Sequence, residues 1–248
     1  MRMINKWKPS LGSDILKMIA IITMLIDHIA ASFIVAAFLG KAETPYYWYR
    51  IYYVMRYIGR TAFPIFAFLL VEGFFHTHSR KKYLGRLVLF TLLSEIPFDM
   101  AFQGVLFYRD DQNVFCTLTI GFLVIWGMEE LYKRYKTNRV MNSFLDAALI
   151  LAGSFAAILL GTDYNAYGVL LIALFYFGKR AKLPRLFTCI AGYLLFLWEP
   201  YCFGGFLLIL FYNGTRRKRG KGFQYFFYLF YPVHLLILGL IRVVFLVN

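Results

Sequence analysis

The sequence predicts an all-α integral membrane protein, a polytopic bundle of about nine transmembrane helices (range about eight to ten) with a cytoplasmic N-terminus. Of the 248 residues, 60% are hydrophobic and 20% aromatic, whereas 16% are charged, and the mean hydropathy is +0.61. A soluble domain carries about 25% charged residues. The apolar residues form long runs and do not alternate with polar ones over segments of about 10 residues, which argues against a membrane β-barrel.

We interpret the long apolar runs as about nine spans, because a membrane helix needs about 20 predominantly apolar residues. In chain order they cover residues 15–39, 55–76, 84–102, 114–132, 143–161, 165–178, 185–198, 202–213 and 223–246. The sixth, seventh and eighth runs are short. Each of these is either extended by flanking residues, tilted, re-entrant or a half-helix.

The basic residues support an odd number of spans, because they gather at alternate ends of the proposed helices. Loops rich in Lys and Arg stay in the cytoplasm, so the clusters and the N-terminus are predicted to be cytoplasmic and the C-terminus external. The clusters are Arg2/Lys6/Lys8/Lys17, Arg80/Lys81/Lys82/Arg86, Lys133/Arg134/Lys136/Arg139, Lys179/Arg180/Lys182/Arg185 and Arg216/Arg217/Lys218/Arg219/Lys221.

No linker or low-complexity tract divides the chain, so residues 1–248 are predicted to form a single transmembrane domain. The first apolar run, at about 25 residues, is too long for the core of a signal peptide. The net charge of +14 is interpreted as topogenic, and no nucleic-acid partner is predicted. Cys116, Cys189 and Cys202 lie in apolar runs at unrelated spacings, which indicates buried free thiols and no metal site.

The first span carries ionisable residues, which cost about 2.5–3.5 kcal/mol inside a membrane and therefore mark candidate functional positions. Lys17 and His28 are separated by about three helical turns, so they share one face at about 16 Å along the axis. Such a face suits a phosphorylated carrier that reaches a mid-membrane base from the cytoplasm. Alternatively, Lys17 only snorkels and His28 only packs. Asp27 points about 100° away from His28 and is predicted to pair with an Arg of another helix.

The second span adds two arginines and one carboxylate. Arg56 and Arg60 lie one turn apart on one face, as partners for Asp27 or for an anionic group. Pro64 is expected to kink the helix. Glu72 lies near the cytoplasmic end of this span and belongs to the supporting polar site.

The third span contains two carboxylates, Glu95 and Asp99, spaced i, i+4. They can share a proton, orient a base, or form ion pairs with Arg56 and Arg60. We favour the ion pairs, because both arginines are predicted to lie on the same side of the membrane.

Three more ionisable residues complete the candidate polar site. Asp163 and Glu199 occupy short outer turns between helices. His234 lies in the last span and meets His28 if the first and last helices pack together.

Several segments resemble, in chain order, successive blocks of the TraX family, which is named for a conjugal-transfer protein that N-acetylates pilin. They are LKMIAIITMLIDHIAASF, YIGRTAFPIFAFLLVEGFFHTHSRKKYLGRL, SEIPFDMAF, NVFCTL, TDYNAYGVLLI and FYLFYPVHLLIL. Integral-membrane acyltransferases more widely resemble this chain in carrying a basic residue, usually Arg, upstream of a first-helix His; Lys17 takes that place here. The resemblance implies a multi-pass protein of the bacterial cytoplasmic membrane, with His28 as catalytic histidine and acetyl-CoA as donor.

The first functional hypothesis is therefore a membrane N- or O-acetyltransferase. Lys17 and the basic loop ends would hold the phosphates of acetyl-CoA, and His28 would deprotonate an amine or hydroxyl acceptor that attacks the thioester. Asp27, or a carboxylate from another helix such as Asp163, would fix the imidazole tautomer. The acceptor stays open among a protein N-terminus, an amino sugar, an envelope glycan and a lipid.

Arg56 or Arg60 would stabilise the oxyanion or bind the acceptor in that hypothesis. Two other functions remain open. The buried acids and histidines also suit a proton-coupled transporter or flippase. The chain can also be a non-catalytic component of a conjugation or secretion assembly.

Overall fold

The computed structural model of the protein describes residues 10–39, 43–215 and 221–245, and it confirms the all-α class. The helices, in chain order, are α1 (Ser13–His28), a π-helix (Ile29–Leu39), α2 (Tyr46–Gly59), α3 (Ala62–His76), α4 (Arg80–Phe102), α5 (Val114–Arg134), α6 (Arg139–Leu159), α7 (Asn165–Arg180), α8 (Arg185–Leu195), a 3-10 turn (Pro200–Cys202), α9 (Phe203–Leu210) and α10 (Lys221–Phe245). Part of the basic clusters lies outside the described ranges, namely Arg2, Lys6, Lys8, Arg216, Arg217, Lys218 and Arg219.

Five helical segments in the described part of the chain are long and apolar enough to cross a membrane. They are Ser13–Leu39, Tyr46–His76, Val114–Arg134, Arg139–Leu159 and Tyr225–Val244. The count of about nine spans stays a prediction. The three runs that looked short in sequence are helical but contain helices of 16, 11 and 8 residues (α7, α8 and α9), less than the roughly 20 that an upright span needs.

Helix α4 is long enough to span, at 23 residues, but its apolar stretch is interrupted. Arg86, Glu95 and Asp99 fall within its last five turns. Its partners explain how this helix is accommodated, because it packs mainly against α10 and α5 and buries part of its surface there. Polar side chains in such a helix face protein in preference to lipid.

The second span begins earlier than predicted, at Tyr46 instead of residue 55. The segment from Tyr46 to Gly59 contains several tyrosines and two arginines, so an apolar-run criterion misses its helix. The helix then breaks at Arg60 and Thr61 and restarts at Ala62. Pro64 occupies the first turn of α3, where its missing N–H costs nothing. In a continuous helix the ring of Pro64 would clash with the carbonyl of Arg60, four residues earlier. The expected disturbance by Pro64 is therefore present, as a break between α2 and α3 at that position.

Glycines let two pairs of helices approach closely. A Cβ on Gly59 of α2 would lie 2.2 Å from the Cβ of Asp27, and one on Gly239 of α10 would lie 2.6 Å from the Cβ of Met100 in α4. Small residues of this kind allow the backbones of membrane helices to pack in contact. The first contact fixes α2 against the position where α1 carries its polar pair.

The π-helix follows α1 without interruption and begins directly after His28. It runs for 11 residues, although π-geometry is rare and occurs mostly as single turns, frequently at functional sites. It packs against α2 and α10. The change of helical geometry therefore coincides with the Asp27–His28 pair.

Candidate functional site

Asp27 and His28 contact different helices. The Nδ1 of His28 lies 2.7 Å from the Nε2 of His234 on α10. The ring planes differ by 8° with centroids 5.0 Å apart, so the rings are nearly coplanar and meet edge to edge, as an N–H···N hydrogen bond requires. Both residues are buried, with 9% and 6% of their surface exposed. The predicted meeting of the first-span and last-span histidines is confirmed by this contact.

Aromatic rings surround the histidine pair. The ring edges of Phe102 and Tyr231 meet His28 at centroid distances of 5.3 and 5.8 Å. Tyr231 also contacts His234 at 5.7 Å. Tyr231 was not among the residues predicted from the sequence. Its position three residues before His234, which places it on the same face of α10, was the signal that could have found it.

A cavity of about 400 Å³ lies among α1, α3, α4, α5 and α10. Lys17, Ile21 and Met24 of α1 line it. These residues continue at helical spacing to His28, so one stripe of α1 leads from Lys17 to the histidine pair. Tyr231 also lines the cavity and contacts the His28 ring. The cavity therefore extends from Lys17 to Met24 and Tyr231, which border His28.

Cationic side chains lie against aromatic rings in this cavity. The Nζ of Lys17 lies 5.4 Å from the centroid of Phe227. The guanidinium of Arg86 lies 5.5 Å from Tyr83 and 5.7 Å from Tyr228. Its Nε is buried without a hydrogen-bond partner among the described residues. From the sequence, Arg86 was predicted only to belong to a topogenic cluster and not to the site.

Asp27 belongs to a separate ion-pair cluster, which we define as Asp27, Arg56, Arg60, Asp163 and Glu199. The Oδ2 of Asp27 accepts a hydrogen bond from Nη1 of Arg56 at 2.7 Å. The pairing of Asp27 with an arginine of another helix is thus confirmed. Arg60 reaches Glu199 with 3.4 Å between Nε and Oε2.

Asp163 lies in the turn before α7, where the Thr117 hydroxyl donates to its backbone carbonyl. Burial raises the pKa of the Asp163 carboxyl, and the positive charges of Arg60 and Arg56 oppose that rise. Arg60 also donates to the Tyr164 hydroxyl at 3.3 Å.

The structure does not support the expectation that Asp27 or Asp163 holds the imidazole of His28. The Nδ1 of His28 contacts His234, and the carboxylate of Asp27 is held by Arg56. The two residues are adjacent in sequence but point from α1 in different directions, which explains why Asp27 pairs elsewhere.

The predicted ion pairs of Glu95 and Asp99 with Arg56 and Arg60 were wrong. Glu95 accepts a hydrogen bond from the Asn113 side chain, and Asp99 accepts one from the backbone N–H of Tyr108 at 2.7 Å. The reason is topological: α4 packs on α5 and α10, whereas α2 packs on α1 and the π-helix.

Glu72 connects α3 to neighbouring elements. Its carboxylate accepts from the ammonium of Lys179 on α7 and from the hydroxyl of Tyr212 at 3.4 Å. Glu72 thus belongs to the contact between α3 and α7. In residues 10–39, 43–215 and 221–245 no three His, Cys, Asp or Glu side chains are grouped so that they could hold a metal ion.

Together, the apolar helices, the buried histidine pair and the adjoining cavity define a helical membrane protein with a polar site inside its bundle. Residues 12–242 match the model of a protein family that is described as "TraX protein". The chain is also 33% identical over 247 residues to the probable fimbrial assembly protein FimC, serogroup H1, of Dichelobacter nodosus, covering 90% of this chain and 92% of that protein. This protein belongs to the TraX family. No solved structure matches it.

Proposed function

We propose that this protein is an integral membrane acetyltransferase of the bacterial cytoplasmic membrane, which transfers the acetyl group of acetyl-CoA to an amine or hydroxyl acceptor. One observation carries the proposal: a stripe of α1 lines a cavity from Lys17 to Met24, and His28 of the buried histidine pair follows one helical turn further along the same stripe. The identity of the donor, acetyl-CoA, is inferred from the family resemblance.

The cationic part of the cavity suits the phosphates of the donor. Lys17 and Arg86 bring positive charge to the cavity walls, and a guanidinium is well suited to phosphate oxygens. Lys17 and His28 are separated by about 16 Å along α1. In the proposed complex the narrow pantetheine arm of the donor spans this separation. The phosphates themselves would stay near Lys17 and Arg86.

His28 acts as the general base in the proposed reaction. Its imidazole takes the proton from the acceptor N–H or O–H while the acceptor nitrogen or oxygen forms a bond to the thioester carbonyl carbon. The C–S bond then breaks, and the CoA thiolate leaves with the proton held on the imidazole. Tyr231, whose ring contacts that of His28, is proposed as a hydrogen-bond donor to the oxyanion.

The test uses the purified full chain in lipid nanodiscs with acetyl-CoA labelled in the acetyl group. Wild-type protein is expected to release CoA and to label an acceptor supplied as a membrane extract. We expect His28→Ala to lower the rate by about 10²-fold or more, while His78→Ala, at an exposed histidine outside the cavity, leaves it unchanged. Full activity of His28→Ala in monodisperse protein would contradict the proposal.

A second candidate is a non-catalytic component of an assembly, which the name of the Dichelobacter relative favours. That component would bind partner proteins tightly and would not need His28. Complementation of a deletion strain distinguishes the two: His28→Ala restores the phenotype if the role is assembly alone and fails to restore it if transfer is required.

A further inference from the structure

The histidine pair is joined to a group that can only accept a hydrogen bond. The Nδ1 of His234 lies 2.6 Å from the backbone carbonyl oxygen of Phe230. A carbonyl oxygen has no hydrogen to donate, so Nδ1 of His234 must carry the N–H. A neutral imidazole has one N–H, which leaves Nε2 of His234 as an acceptor.

That acceptor faces the first histidine. The Nε2 of His234 lies 2.7 Å from Nδ1 of His28, so for two neutral rings the hydrogen of this bond belongs to Nδ1 of His28. The remaining nitrogen of His28, Nε2, then carries the lone pair. The carbonyl of Phe230 therefore determines, through two hydrogen bonds, which nitrogen of His28 is basic.

We propose that His234 is a positioning residue that holds His28 in the Nδ1–H tautomer and so presents Nε2 as the basic atom. The catalytic role of this tautomer rests on the proposed function, in which Nε2 of His28 receives the proton of the acceptor. In Ser-His-Asp enzymes a carboxylate does this task and also stabilises the imidazolium. Here a neutral histidine orients the ring, and Asp27, the carboxylate next in sequence, is held by Arg56.

The tautomer can be measured directly, without any activity. The chain has four histidines, so ¹⁵N-histidine NMR of the full protein in nanodiscs gives few signals, and the difference from His28→Gln assigns those of His28. We expect a protonated Nδ1 and an unprotonated Nε2 on His28 in the wild type. A wild-type His28 protonated at Nε2 alone would overturn the proposal.

Two substitutions of His234 separate orientation from packing. Gln reaches as far as Nε2 of a histidine and offers an amide oxygen as acceptor, so His234→Gln is expected to keep the Nδ1–H form of His28. Leu fills space without an acceptor, so His234→Leu is expected to shift His28 to the Nε2–H form. An unchanged tautomer in His234→Leu would overturn the proposal.

His76→Gln is the matched control for the spectra. His76 makes the same type of contact, from Nδ1 to the carbonyl of Glu72 at 2.7 Å. It is exposed and lines the cavity, whereas the hydrogen-bond partner of His28 is His234. Its substitution is expected to leave the His28 signals unchanged. A shift of the His28 tautomer in this control would show that the effect is not specific to His234 and would count against the proposal.

Acetyl transfer provides the second measurement. We expect His234→Leu to lower kcat by about 10²-fold or more with the KM for acetyl-CoA within about twofold, and His234→Gln to retain activity within about tenfold of wild type. Full kcat in His234→Leu would overturn the positioning role. If wild-type protein transfers no acetyl group, the proposed function fails, and the NMR measurement still decides the tautomer.

Discussion

The cavity lies along α1 from Ser13 to Met24, and the ion-pair cluster adjoins Asp27 at the C-terminal end of the same helix. The two regions differ in how they hold positive charge. In the cluster, Arg56 and Arg60 bond to carboxylates. In the cavity, Arg86 lies over tyrosine rings, and its Nε has no hydrogen-bond partner in the described ranges. The arginines of the cluster are neutralised by carboxylates of other elements and so hold helices together. The guanidinium of Arg86 can still bind an anion. The following predictions test that contrast through stability in the cluster and donor binding in the cavity.

The largest expected effect is on stability, from Asp27→Ala. Removing one partner leaves Arg56 with an uncompensated charge in a setting where the pair is mostly buried, and breaking buried pairs costs about 3–5 kcal/mol. The free energy of unfolding, measured by denaturant titration in mixed micelles, should fall by about that amount. The double variant Asp27→Leu/Arg56→Met removes both charges and is expected to lose less; an equal or larger loss would contradict the ion-pair explanation.

Gly59→Ala tests the close approach of α2 to Asp27. Its added Cβ would lie 2.2 Å from the Cβ of Asp27, so α2 must move away from α1, and overpacking of this kind costs about 1–3 kcal/mol. The matched control is Gly85→Ala in α4, where, among the described residues and apart from its chain neighbours and its own helix backbone, no atom lies within 4 Å of the added Cβ. That control is expected to be neutral or slightly stabilising. Equal stability of the two variants in thermal melts would argue against a tight α1–α2 contact.

Arg86→Ala tests the cavity. Loss of a charged contact to a donor phosphate is expected to raise the KM for acetyl-CoA about tenfold, which corresponds to about 1.4 kcal/mol, with kcat within about twofold. Arg139→Ala, at an exposed basic residue of another cluster, serves as the control and should leave KM unchanged. The same rise of KM in both variants would indicate a diffuse charge effect instead of a contact in the cavity.

Glu199→Gln should give the smallest change. Its pair with Arg60 is longer, at 3.4 Å, and about a fifth of each side chain is exposed. Partly solvated pairs contribute about 0–1 kcal/mol, so the free energy of unfolding should fall by about 0.5 kcal/mol. A loss as large as that of Asp27→Ala would show that the cluster acts as one network.

Isolated polar residues in apolar spans were the part of the site that could be predicted. Asp27 and His28 each had to find a partner on another helix, and Arg56 and His234 were among the few candidates. The choice between carboxylate and histidine for His28 depended on helix packing, which a single sequence does not contain. Tyr231 was missed because an aromatic residue in a membrane span carries no distinguishing signal.

The helical class followed from composition, but the number of spans did not. Apolar runs do not reveal whether a short helix such as α9 crosses the membrane or ends inside the bundle. The tyrosine-rich start of α2 falls below an apolar criterion although it is helical. Arg86 was assigned to topology because Lys and Arg near helix ends usually report sidedness, and only the fold shows that its side chain lines the cavity.

The π-helix has a consequence for changes in chain length within the family. Each π-turn spans one residue more than an α-turn, so a single-residue deletion between Ile29 and Leu39 can be absorbed when one turn returns to α-geometry. Because His28 is the last residue of α1, such a deletion leaves the register from Lys17 to His28 intact. We expect insertions and deletions among relatives to be tolerated beyond His28 and to be excluded between Lys17 and His28.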